Sequence, residues 1–305
     1  MSSTTLNAHP FSYFPFGSKA PPEAIACDGL VEGAGLHASH WEGNRTPAHL
    51  KDDTSTEIAL RWAEQGLPKG TLVTNNHFDA DGALSVFALL RPDIASRHKG
   101  LIVAAAEAGD FDEWPTDDRG LRLDMAIRAL GARAGDDGRA YTTVLEALPE
   151  LLTTIDARED LWKDEWDSLI DAERRAAAGA IEVERRDGVA IFLHRPGVLE
   201  LPGPVLFRRQ PEGIVRWLLA FDRGDGTFEY RYERPRYSWA DTVRRPPVPA
   251  PSRNAVAQDL GEGWALKGEL KMTGILRTAR PIKMAPQDVV SALLRRDPAA
   301  AVSAR

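Results

Sequence analysis

The feature that most constrains this chain is an apolar run that ends in an acidic loop and restarts as an apolar helix. Gly70-Thr-Leu-Val-Thr-Asn-Asn76 reads as a short buried strand, His77-Phe-Asp79-Ala-Asp81-Gly82 as the loop, and Ala83–Leu90 as the helix. Leu101-Ile-Val-Ala-Ala-Ala106 reads as a second buried strand, again running into acid: Glu107-Ala-Gly-Asp110-Phe-Asp112-Glu113. Strand, loop, helix repeated in this order predicts an α/β fold, a parallel sheet with crossover helices. In such folds chemistry collects at the carboxyl ends of the strands, where both acidic loops fall.

Further helices are predicted around this unit. One spans about Thr54–Gln65, with Asp53 or Thr54 as its cap and Glu57 at capping-box spacing. Others cover about Arg122–Leu130, Thr143–Ile155 and a charged stretch from Glu159 to Glu184. After Arg186 the pattern changes. Val189–Leu193 and Ile214–Phe221 read as strands, Asp225-Gly226 as a hairpin turn, and Thr227–Glu233 alternates with Phe228, Tyr230 and Tyr232 on one face. Arg245–Ser252 is a proline-rich linker; strands near Trp264–Leu276 and a helix near Gln287–Arg295 follow. The expected organisation is an N-terminal arm (1–35), an α/β metal-binding catalytic domain (36–186) and a smaller α+β substrate or lid domain (187–305).

Charge and cysteine content narrow the function. A net charge of −7 argues against a long nucleic-acid partner, though a local basic patch suffices for a short nucleotide. The single cysteine, Cys27, excludes an intrachain disulfide and a cysteine zinc site. The amino terminus lacks the basic flank and apolar run of a signal peptide, and no stretch approaches a membrane span, so a cytoplasmic protein without a membrane partner is expected.

His77, Asp79 and Asp81 alternate at the end of a buried strand, a carboxylate–imidazole spacing that converges on hard or borderline divalent ions. Manganese is the natural guest, with iron or zinc as alternatives. Gly82 admits close backbone approach, and Ser85 lies in the following turn, placed to cap it or to meet an anion. The competing reading is an Asx-rich turn capping the helix.

Asp79-Ala80-Asp81-Gly82-(x2)-Ser85 resembles the first motif of the DHH phosphoesterases, the superfamily of RecJ exonucleases, nano-RNases, cyclic-dinucleotide phosphodiesterases and family II pyrophosphatases. Two departures stand out: Asn75 replaces a usual histidine, and His77 stands where RecJ-like sequences carry another aspartate. Ser39-His40-Trp41 resembles the Asp-His-His triplet, and Asp53-Thr54-Ser55-Thr56-Glu57 resembles the Ser/Thr-rich helix start that follows it. Here both precede the first motif, so the resemblance implies a permuted motif order. It also implies a further metal-bridging aspartate, for which Asp110 and Asp112 are the candidates, and His40 as a ligand, against the alternative of a loop histidine.

Implied, then, is a divalent-metal-dependent hydrolase holding one or two ions and acting on a phosphoester or phosphoanhydride of a small molecule or short nucleotide. Arg45, Asn44, Asn76, Ser55, Thr56, Ser85 and Arg253 are the candidate substrate contacts; for Ser55 and Thr56 the alternative is a plain helix cap. Lys271-Met-Thr-Gly274 joins Arg253 as a candidate from the C-terminal domain. Two rivals stay open: a metal enzyme of another reaction class on the same scaffold, and a non-catalytic member that binds a nucleotide or partner.

Overall fold

A computed structural model describes residues 11–13, 19–66, 71–260, 264, 274–297 and 299. The chain divides into two compact units. One takes the chain as far as Asp110, then Pro115–Trp166 and Ala240–Arg245; the other takes Phe111–Trp114, Asp167–Trp239 and the chain from Pro246 onward.

The first unit is built on a parallel sheet of β1 (Phe11–Tyr13), β2 (Ile25–Cys27), β3 (Leu36–Ala38) and β4 (Thr71–Thr74) in the order β1-β4-β2-β3. Ile25 pairs with Val73 on one side and Leu36 on the other. Residues 1–35 are therefore more than an arm, since β2 lies inside the sheet. Ile25, Ala26, Cys27 and Val73 are fully buried, as strands covered on both faces must be, and this is why they carry no alternation. Helices α1 (Ser55–Glu64) and α2 (Ala80–Leu90) follow β3 and β4. Thr54 caps α1 and forms a complete capping box with Glu57.

The expected second strand is a helix. Leu101–Ala106 lies within α4 (Lys99–Phe111), which follows the short α3 (Pro92–Arg97). Its apolar run is alanine-rich, a composition that favours helix. Ile102, Ala105 and Ala106 are buried at helical spacing; a six-residue apolar run does not by itself distinguish the two states. Asp110 thus sits on the last turn of a helix, not at a strand end. The longer helices α5 (Arg119–Ala134) and α6 (Asp137–Thr154) complete this part.

The charged helix α7 runs from Glu159 to Arg175 and then stops; Gly179, at φ 84°, turns the chain into the left-handed region and Ile181–Arg186 continues as β5. Asp187 and Gly188, both with positive φ, make the tight turn to β6 (Val189–His194), so position 187 falls at a hairpin of the second unit. Helix α8 (Gly203–Arg209), β7 (Arg216–Asp222), β8 (Phe228–Glu233), α9 (Arg253–Leu260), β9 (Gly274–Arg277) and α10 (Pro286–Leu294) follow. The mixed sheet has the order β5-β6-β7-β8-β9, with only β6 and β7 parallel. Tyr230 and Tyr232 point into its core with Val189, Leu218, Val289 and Leu293, as the alternation predicts. Arg216, fully buried, bonds both oxygens of Asp297 at 2.5 and 2.9 Å. Of the Lys271–Gly274 candidate, Lys271, Met272 and Thr273 lie outside the described residues. No helix among the described residues is long and apolar enough to cross a membrane.

Candidate metal centre

Three neighbouring parallel strands end in the residues of interest. Past β2 the chain reaches Asp28, past β3 Ser39 and His40, and past β4 Asn75 to Asp79. Asp28 adopts φ 59°, in the left-handed region. A Cβ on Gly29 beside it would fall 1.7 Å from Asn76 Oδ1, so any side chain there displaces the Asn76 amide. Asp79 caps α2 through Gly82 N (2.8 Å), and the Asx-turn reading of this loop is correct as far as that bond goes.

The side chains converge in two groups. Asp28, His40, Asp81 and Asp110 form a buried set; His40 Nε2 lies 3.3 Å from Asp28 Oδ1, 3.7 Å from Asp81 Oδ2 and 3.2 Å from Asp110 Oδ2. Asp28, His77 and Asp79 form a second, half-exposed set, with His77 Nε2 2.8 Å from Asp28 Oδ2 and 3.0 Å from Asp79 Oδ2. Within each group the ligand atoms lie within 4.8 Å of one another, so each group could hold a metal ion. Asp28 belongs to both, offering one oxygen to each.

Neighbouring residues fix these groups. Ser55 N and Thr56 N, at the start of α1, each donate to one oxygen of Asp81 at 2.8 Å, so the helix terminus is spent on a protein carboxylate. Ser55 Oγ and Trp41 Nε1 donate to Asp28 Oδ1, and the Trp41 ring lies on His77 with centroids 5.0 Å apart. His40 Nδ1 donates to the Asp53 carbonyl at 2.6 Å. A carbonyl only accepts, so Nδ1 keeps its proton and Nε2 is the atom turned to the three carboxylates, the tautomer that a metal-ligating histidine needs. Tyr141 Oη accepts from Asn75 Nδ2 (2.5 Å) and donates to the His77 carbonyl (2.8 Å), tying α6 to the loop.

The electrostatics are those of too many acids in too little water. Burial, then the charge of Asp28, pushes the Asp81 carboxyl up to about 6 against His40 and the Thr56 side chain. Burial, reinforced by Asp81 and Asp79, raises Asp110 well above the carboxylate range. Burial alone would raise Asp28 too, but His40 and His77 hold it well below its ordinary value. Burial alone would lower both histidines; instead Asp28 and Asp79 push His77 up to about 11, and Asp110 and Asp28 raise His40 strongly. By itself the chain offsets the crowded carboxylates with protons, on the two imidazoles and on Asp110. A divalent cation is the other way to balance them, and its binding would release those protons. Imidazole nitrogens and carboxylate oxygens are together a donor set that could take a divalent ion.

Asp112 is in the other unit, where it meets Arg236 at 3.3 Å, and a Cβ on Gly203 would overlap it. Arg45 is occupied by the Ala34 carbonyl and His37. Asn44 bonds the Trp41 carbonyl and Asp241, Asn76 bonds the Leu30 carbonyl and His77, and Ser85 Oγ bonds the Gly82 carbonyl. Arg253 bonds the Gly274 carbonyl in the second unit. The polar groups expected to meet substrate thus have protein partners. Asp28 escaped the sequence reading, although Ile25-Ala-Cys-Asp28-Gly29, a short apolar run closed by Asp-Gly, has the same form as the run before His77. Asp53 was legible only as a helix cap and part of the Ser/Thr-rich helix start, and Tyr141 left no signal.

A family model matches residues 9–278 of the chain, a span that contains both groups. The chain belongs to DUF6687, a family of unknown function. No curated protein matches it significantly. For DUF6687 the assembled Asp/His cluster is therefore the functional evidence this chain offers.

Proposed function

We propose that the chain is a divalent-metal-dependent hydrolase of small phosphoesters or phosphoanhydrides, a short nucleotide included, and a divergent relative of the DHH phosphoesterases. One observation carries this reading: Asp28 is shared by two ligand groups, one oxygen to each, which is how a carboxylate serves two neighbouring ions. Asp28, His40, Asp81 and Asp110 would hold one ion and Asp28, His77 and Asp79 the other, with manganese the first choice. Such ions supply Lewis acidity at a phosphoryl oxygen and acidify a water for attack on phosphorus. The protein's own part is positional. The α1 amides orient Asp81, the Asp53 carbonyl orients His40, and Trp41 screens one side of His77. The second group, with His77 29% and Asp79 39% exposed, is the one substrate can reach.

The resemblance of Asp79-Ala-Asp81-Gly82 and of Ser39-His40-Trp41 to DHH motifs supports the same reading, since His40 and Asp81 fall in one group. The first test is metal content followed by turnover. Protein equilibrated with Mn2+ is expected to retain two equivalents and to release phosphate or a nucleotide product from a panel of short phosphoesters and pyrophosphate. Two equivalents of metal with no turnover would move the assignment to a binding protein, which Trp41 in the place of the triplet's second histidine favours; no metal would end both.

A further inference from the structure

Residues Ala240–Arg245 leave the second unit's stretch of chain, join the first unit, and give the chain back at Pro246. Their contacts converge on His40. Ala240 bridges to Trp41, and Asp241 N donates to the His40 carbonyl at 2.6 Å. Asp241 also holds Lys51 and Asn44. The Asp53 carboxylate, fully buried, receives Val243 N (2.7 Å) and Arg244 N (2.8 Å) on Oδ1, and Arg244 Nε (3.1 Å) and Arg245 on Oδ2. Arg244 and Arg245 reach on to Glu57 (2.6 Å) and Glu107 (2.7 Å). Asp53 is also the residue whose carbonyl accepts from His40 Nδ1. The strap therefore grips His40 twice, at its own carbonyl and through the residue that fixes its ring.

We infer that Asp53, clamped by the Val243–Arg245 strap, is a positioning residue that keeps His40 turned toward Asp28, Asp81 and Asp110 and so governs metal occupancy of that group. The inference rests on the metal reading above for its consequence, not for its geometry. Asp53 itself is no ligand. Its side chain is spent on two arginines and two amides, and only its main-chain oxygen faces the imidazole. A buried carboxylate that loses its counter-charges must move toward water or take a proton. Either loosens the clamp that fixes the backbone on which the carbonyl rides, and outer-sphere groups of this kind change metal affinity by roughly 10–100-fold when lost.

The test uses full-length protein with Asp53→Asn and, separately, the double variant Arg244→Ala/Arg245→Ala, each checked for folding by circular dichroism. In equilibrium dialysis against Mn2+ one equivalent is expected to weaken by about 10–100-fold while the equivalent held by Asp28, His77 and Asp79 keeps its affinity. Arg244→Lys/Arg245→Lys is expected to recover part of the loss. Independently of metal, nitrogen-15 NMR of the histidine rings in chelator-treated protein is expected to show a changed Nδ1 environment for His40 in the Asp53→Asn variant. Unchanged His40 ring signals would overturn the positioning role, and an equal loss of both equivalents would reduce it to a general structural one. If wild-type protein binds no metal, the metal reading fails while the NMR comparison still decides whether the strap sets the His40 ring.

Discussion

Asp28→Asn tests the shared carboxylate most directly, because it alters one side chain and touches both groups. Asp28 Oδ1 lies 3.3 Å from His40 Nε2 and Oδ2 2.8 Å from His77 Nε2. Asparagine keeps one carbonyl oxygen and replaces the other by a donor, so it can serve one group only. An ion present at about 100 times its Kd stabilises the folded state by about 2.7 kcal/mol, and two independent ions by about 5.4. In a domain of about 150–250 residues each kcal/mol moves Tm by roughly 2–4 °C. Wild type is then expected to gain about 11–22 °C on saturation with Mn2+, and the variant no more than half of that. The increment on adding metal is the quantity to compare, since the metal-free variant also loses the charge that faces His40 and His77. Calorimetry with and without Mn2+, with elemental analysis of the same samples, gives increment and stoichiometry together. A variant that retains two equivalents at wild-type affinity would refute the argument that Asp28 divides its oxygens between two ions.

Glu57→Gln probes charge under the strap. Burial, then Asp52, with Glu107 adding to them, raises the Glu57 carboxyl from 4.5 to about 7 although Arg244 opposes the shift. A folded-state value above the unfolded one means the ionised form costs stability as pH climbs through this window, by up to about 3 kcal/mol above pH 7. The variant is expected to match wild type at pH 4 and exceed it at pH 8 in urea unfolding; equal offsets at both pH values would contradict this. Tyr141→Phe leaves Asn75 Nδ2 and the His77 carbonyl without their partner, at a cost of about 1–3 kcal/mol each. Metal titration should show a larger loss for the group containing His77 than for that containing His40. Arg216→Met breaks the buried pair with Asp297 and is expected to destabilise by about 3–5 kcal/mol in urea, with Arg216→Met/Asp297→Leu recovering most of it.

What the sequence disclosed follows from the range of each signal. His77, Asp79 and Asp81 are legible because strand, loop and helix are contiguous, and Thr54–Glu57 because a capping box spans three residues. His40 enters only through the triplet resemblance. Its meeting with Asp81 depends on the β1-β4-β2-β3 order, which leaves only β2 between the ends of β3 and β4 although α1 separates them along the chain. Asp28 follows a strand of three residues, too short for any periodicity to show. Asp112 looked equivalent to Asp110 because both sit in one acidic stretch, yet φ 55° at Asp112 turns the chain out of α4 between them. Leu101–Ala106 failed because its apolar run had no length to betray a helical repeat. The strap's bonds to Asp53 span about 190 residues, and no local pattern reports on them.

That separation also has a consequence in biosynthesis. The last of the clustered acids, Asp110, is translated long before Arg245, with about 135 residues between them. At about 5–20 residues per second a ribosome needs roughly 7–27 s for that stretch. Throughout this interval the nascent chain already carries every residue of both groups, while Asp53 still lacks the arginines and amides that neutralise it. An Asp/His cluster that is local in the folded chain gains the support of its Asp53 only once Arg245 has been made.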